Sequence, residues 1–195
     1  MTALIDAIGA VIIGGLLLLT MVTSLFNINS KAADIGQQVI LAEVSEDIAR
    51  IVGEYLSLAG AGVGGQIISP CGRTGFRFTA NDTTYTSLQR TYELVQGNST
   101  DAGYPFEVYI DNQLVLGPFF LADSLRFTYF DASHAIITMN NNGILPDANL
   151  PDVRLIRMEM EFYYDAFAPD SLSGPDSKDP KNRIVLWRYL MNMYL

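Results

Sequence analysis

The chain has 195 residues, 49% of them hydrophobic and only 17% charged, with a net charge of -9. That length suits one domain plus one long helix, and the acidic balance excludes a phosphate-neutralising nucleic-acid binder and disfavours broad attachment to anionic lipid. One cysteine, Cys71, and one histidine, His134, leave no intrachain disulfide, no Cys/His metal set and no credible Ser-His-Asp constellation, so neither a metal nor a cofactor is expected.

The first element is apolar. Ala7 to Phe26 carries no charged residue, and ~20 residues at 1.5 Å rise make about 30 Å of helix, the depth of a bilayer core. A cleaved signal peptide would want a basic n-region, whereas the only charged side chain ahead of the run is Asp6. A fully buried core helix is the other rival. The positive-inside rule has nothing to count before the span and only Lys31 close after it. Gly9, Gly14 and Gly15 lie within the run, where small residues let helices approach closely in lipid while lowering helix propensity.

Polar residues 27–31 (NINSK) are expected to loosen the helix locally. Helical rhythm then resumes from Ala32 to about Leu58, with Leu41, Val44, Ile48, Ile51, Val52 and Tyr55 at three and four spacing and acidic or basic residues between them. This is an amphipathic stripe for packing on a domain. It stops in AGAGVGG (59–65), a glycine-dense exit that lacks the Lys-Ser/Thr ending of a phosphate loop. The expected division is a transmembrane segment at 1–28, its amphipathic continuation at 29–60 and a β head at 61–195.

From Gln66 the period becomes two. GFRFT (75–79) alternates, a turn is expected at Asn81-Asp82, and the strand pattern resumes over 83–88. PFEVYIDNQLVL (105–116) reads as a hairpin turning at Asp111-Asn112. Residues 124–131 form a strand with Leu125, Phe127 and Tyr129 on one face, and 135–139 is its expected hairpin partner. Residues 140–151 are a loop. Residues 152–164 form the clearest strand, with Ile156, Met158, Met160, Phe162 and Tyr164 facing one way and Arg157, Glu159 and Glu161 the other. After a Pro/Gly/Asp-rich loop at 166–181, residues 183–195 are expected as a last strand with a face of Val185, Trp187, Tyr189, Met191 and Met193, its apolar end tucked in. The head is thus an antiparallel sheet laid on the carboxyl half of the long helix. Aromatics such as Tyr129, Phe130, Trp187 and Tyr189 are expected to pack the sheet rather than to form a ligand platform, and no catalytic set is found.

This layout, with the stretches EDIARIVGEYLSLAG (46–60), SLRFTYFD (124–131) and VRLIRMEME (153–161), resembles the type IV pilin-like proteins. Within them it is most similar to minor pilins and pseudopilins of the PilW and GspJ kind. The resemblance implies a non-enzymatic structural subunit of a pilus or pseudopilus, anchored once in the inner membrane with an extracytoplasmic head or carried in an extracellular filament. Its partners would be copies of itself, other pilin-like subunits and the lipid bilayer. In the family a basic leader is cut just before the apolar helix, and an acid stands fifth in the mature chain. With Thr2 as first residue, Asp6 is that fifth residue, aspartate replacing the usual glutamate. The resemblance implies that Asp6 meets the amino terminus of a neighbouring subunit during assembly. The other readings are a single-pass accessory subunit of a membrane protein complex, and a binding module using loops 97–104, 140–151 and 166–182.

Overall fold

The computed structural model describes residues 2–63, 67–69, 71–82, 88–163 and 181–190, without the side chains of Thr2, Ala3, Asp6, Gln37, Asp82, Tyr163 and Lys181. The strand expected to resume over 83–87, nearly all of the 166–181 loop, and the tail carrying Met191 and Met193 lie outside the described residues.

Helix α1 runs Thr2–Ser57. The chain divides into two compact units, Met1–Ile40 and Leu41–Leu195. The polar stretch at 27–31, expected to loosen the helix, is helical throughout. It contains neither glycine nor proline, and Asn or Ser costs a helix only about 0.7 kcal/mol or less each. The glycine exit ends α1 as expected. Gly60 and Gly62 take φ 79° and 65°, a left-handed backbone that glycine adopts without a Cβ penalty. The Gly60 N–H then bonds the Thr79 carbonyl at 3.2 Å, which docks the exit on the sheet.

Seven strands follow: β1 Gly75–Asp82, β2 Leu88–Gln96, β3 Tyr104–Ile110, β4 Gln113–Leu121, β5 Arg126–Phe130, β6 Leu155–Tyr163 and β7 Lys181–Tyr189. Their order is β1-β2-β3-β4-β6-β5, and β7 also pairs with β6. Every pairing is antiparallel. Because β7 covers all of β6 along one edge, β5 and the end of β4, where Leu121 meets Phe162, share the other. The β3–β4 turn is at Asp111 and Asn112, both with positive φ, 52° and 65°; this is the primed turn whose twist matches a two-residue hairpin.

The core sits between the 41–57 part of α1 and one face of the sheet. From the helix come Leu41, Ile48, Val52 and Leu56; from the sheet come Phe76, Phe78, Phe106, Phe127, Met158 and Phe162, all buried. Phe78 and Tyr92 stack at 5.1 Å, with Tyr55 of the helix 5.9 Å from Tyr92. Such pairs add about 0.5–1.5 kcal/mol beyond the area they bury. This is the expected α+β class, a long N-terminal helix and a C-terminal antiparallel sheet.

Four sequence expectations need correction. No turn falls at Asn81-Asp82: both residues belong to β1, opposite Gln89 and Leu88. Residues 135–139 are not a strand: they make one bridge, Phe130↔Ile136. The Asp131 carboxylate captures the N–H groups of Ser133 and Ala135 at 2.8 and 2.9 Å, and His134 sits at φ 63°, so the chain leaves strand geometry before it can pair. The 140–151 loop ends in a 3-10 turn, Asp147–Asp152, which delays β6 to Leu155. Strand β2 is regular, although the sequence reading recognised only its first residue as strand.

Candidate functional site

The segment before Leu41 is the most unusual surface of the chain. From Leu4 to Ile40 its large apolar side chains are exposed; Leu4 is 70% and Val11 75% accessible. Moving each such side chain out of water is worth about 1.5–3 kcal/mol. The helix is long and apolar enough to cross a membrane. Thr2 and Asp6 lie in its first two turns. A Cβ built on Gly9, Gly14 or Gly15 would meet nothing within 4 Å. Among the described residues no contact within the chain therefore requires these glycines, each of which costs the helix roughly 1 kcal/mol relative to alanine.

The stripe residues divide by burial. Leu41, Ile48 and Val52 are fully in the core, and Val44 and Tyr55 pack against it half-buried. Two polar ties flank the stripe. Asn182 Nδ2 donates to Ser45 Oγ at 2.6 Å, and Arg188 Nε donates to the Gly53 carbonyl at 3.2 Å. The register explains both. With Ile156 facing the core, its β7 partner Arg188 shares that side, as do Leu186, Ile184 and Asn182. The small residues Ser45, Ala49 and Gly53, one helical turn apart, give the strand room.

Strand alternation places Val185, Trp187 and Tyr189 on the opposite, outer face, where they are exposed at 42%, 48% and 59%. Three cross-strand rows form there: Arg126, Glu159 and Val185; Thr128, Arg157 and Trp187; Phe130, Leu155 and Tyr189. Arg157 Nε pairs with Glu159 at 2.8 Å, and Arg183 pairs with the other carboxylate oxygen. The Arg157 guanidinium also lies 5.3 Å from the Trp187 ring centre and 5.9 Å from that of Phe130, within cation–π range. Phe130, His134, Leu155, Trp187 and Tyr189 line an open hollow of about 490 Å³. His134 Nε2 and the Tyr189 hydroxyl are 2.8 Å apart at its rim. The sequence reading assigned Trp187 and Tyr189 to sheet packing; period-two spacing marks one face but not which face is inward.

Little else invites chemistry. Among the described residues no group of three His, Cys, Asp or Glu could hold a metal ion. Cys71 is free and buried, and burial pushes its thiol up to about 12, so a reactive thiolate does not form there. Asp131 is held below its usual value, first by the Ser133 hydroxyl and then by the Ala135 N–H; this carboxylate fixes a turn. The Asn81 amide donates to the Gly62 carbonyl, a structural contact that ties the glycine exit to β1.

No protein-family model and no curated protein matches the chain. Among solved structures it is similar to a type IV-like pilin from Thermus thermophilus, with 12% identity and a TM-score of 0.48, over 78% of this chain and 97% of that one.

Proposed function

We propose that the chain is a pilin-like structural subunit, of the minor pilin or pseudopilin type named above, that assembles through its N-terminal helix. The observation that carries this reading is the apolar segment before Leu41, exposed along its length and bearing glycines that no contact among the described residues needs, in the same helix whose 41–57 part supplies one side of a head-domain core. A lipid bilayer would cover that segment in the single-pass membrane form, with the head outside the cytoplasm. Helices of other subunits would cover it in a filament. Asp6 is assigned the assembly contact, accepting from the amino terminus of a neighbouring subunit, because an acid at the edge of lipid is costly unless paired.

The test is intact mass and N-terminal sequencing of the native protein, together with the Asp6→Ala variant. The reading expects a chain beginning at Thr2 with a methylated amine, and expects Asp6→Ala to lose assembly into sheared filaments while the head stays folded. Normal assembly of Asp6→Ala overturns the role of the acid. Copurification at fixed ratio with other membrane proteins, with no polymer, overturns the subunit assignment.

A further inference from the structure

We infer that the free edge of β7 is a docking site for an extended, acidic segment of a partner protein, which adds a strand to the sheet and seats an apolar side chain in the hollow beside Trp187. Assembly through the N-terminal helix is not required for this.

The argument starts from backbone groups. An outer strand leaves a row of N–H and C=O groups on its free side, and proteins generally cover or interrupt that row. This chain covers two of its outer strands itself. Along β1, Gly60 N–H bonds Thr79 O, Thr79 N–H bonds Ile67 O, Asn81 N–H bonds Ala61 O and Ser69 N–H bonds Arg77 O. Along β5, Phe127 N–H bonds Arg73 O and Ile137 N–H bonds Tyr129 O. Among the described residues, nothing pairs with the outer edge of β7. Neither shortness, proline nor a bulge interrupts this strand, and its one guard is its cationic side chains. It is nine residues long and contains no proline, and its register against β6 runs unbroken, unlike the β3–β4 pair, whose register shifts twice.

The side chains agree on what such an edge would take. The hollow of Phe130, His134, Leu155, Trp187 and Tyr189 lies at the end of the same strand on its outer face, and His134 is held there at φ 63°. A pocket beside an open edge is the arrangement by which added strands are recognised, main-chain bonds giving affinity and alternate side chains giving specificity. Charge selects the partner further. In a chain with 12 Lys and Arg against 21 Asp and Glu, residues 181–190 hold Lys181, Arg183 and Arg188 and no acid. Glu159 already pairs with Arg183, but it is shared with Arg157, and among the described residues Arg188 bonds only the neutral Gly53 carbonyl, so a positive balance remains along the strand; an acidic strand meets it favourably, and a copy of this chain's own basic strand does not.

The experiment uses the full chain in detergent and reads Trp187, its single tryptophan. The probe is a synthetic nonapeptide alternating aspartate and leucine. It is expected to shift Trp187 emission to the blue and to slow amide exchange across 183–189 by about tenfold or more. N-methylation of alternate peptide nitrogens, replacement of aspartate by lysine, and the surface variant Tyr189→Ala are each expected to weaken binding about tenfold. Equal binding of the N-methylated peptide overturns strand addition, and equal binding of the lysine peptide overturns the acidic partner. Absence of any saturable shift below about 1 mM, with phenylalanine in place of leucine as well, overturns the site. Protection of 183–189 that rises with protein concentration alone assigns the edge to a second copy and overturns the inference.

Discussion

Arg188 reaches across from β7 to bond the Gly53 carbonyl at 3.2 Å, and a Cβ on Gly53 would stand 2.6 Å from the same guanidinium. The glycine is what lets the arginine lie against the helix. Gly53→Ala brings two opposed effects: helix propensity gains roughly 1 kcal/mol, and the displaced arginine loses a bond worth about the same. The expected outcome is a near-neutral single variant. In an Arg188→Ala background the same change should stabilise by about 1 kcal/mol. Urea unfolding of the four proteins in a double-mutant cycle measures that coupling.

Ser45 is completely buried, and its hydroxyl donates to the Ala42 carbonyl while accepting from Asn182. Ser45→Ala strands the Asn182 amide against an apolar surface and should cost about 1–3 kcal/mol. Asn182→Ala removes the other partner. The double variant should cost less than the sum of the two, read by the shift in urea midpoint at constant slope.

The glycines before Leu41 give a prediction that separates folding from assembly. Gly9→Ala, Gly14→Ala and Gly15→Ala meet nothing among the described residues, so thermal unfolding of the head should be unchanged and the helix itself should gain roughly 1 kcal/mol per site. If helices of neighbouring subunits pack there, the same variants should reduce filament yield. Unchanged yield with all three replaced would locate the interhelix contact elsewhere.

Alkaline stability should be limited by two buried acids. Cys71 ionises near 9 in an unfolded chain and at about 12 when buried. Tyr129 is pushed well above its ordinary value, first by burial and then by the neighbouring Cys71. Above about pH 9 the unfolded chain binds fewer protons than the folded one, so stability falls as pH rises, by about 1.4 kcal/mol per pH unit for each group fully in its window. Cys71→Ala should lower stability by a constant amount from its cavity and flatten the slope between pH 9 and the onset of tyrosine ionisation. Urea midpoints measured from pH 7 to 10 report both effects.

Much of this fold is legible in the sequence. Twenty-odd apolar residues, a three-four stripe and a glycine exit define α1 because each depends on local spacing alone. The Asp111-Asn112 turn is equally local. Strand β6 is readable because Ile156, Met158, Met160 and Phe162 alternate with Arg157, Glu159 and Glu161, although the charged face is not the wet one expected, since Glu159 is buried between Arg157 and Arg183. Strand β7 gives no such contrast. Its inner face mixes Ile184 and Leu186 with Asn182 and Arg188, and its outer face mixes Val185, Trp187 and Tyr189 with Arg183, so hydropathy does not choose between them. Asn182 and Arg188 turn inward because Ser45 and the Gly53 carbonyl wait there, partners 137 and 135 residues distant. Residues 135–139 misled for a related reason: β-branched Ile136 and Ile137 favour a strand, and the Asp131 carboxylate overrules them.

Strand β7 follows in the chain every element that it pairs with or bonds to. During synthesis the helix emerges first, and its Ser45 and Gly53 remain unmatched until Asn182 and Arg188 leave the ribosome. Long-range closures of this kind slow folding, because loop entropy is lost before the contact forms. A chain interrupted before Lys181 would carry a helix already competent for lipid and a sheet missing the strand that ties it down. Arrival of β7 is thus the step that closes the head, and newly made chains should become protease-resistant only after residue 190 has cleared the exit tunnel.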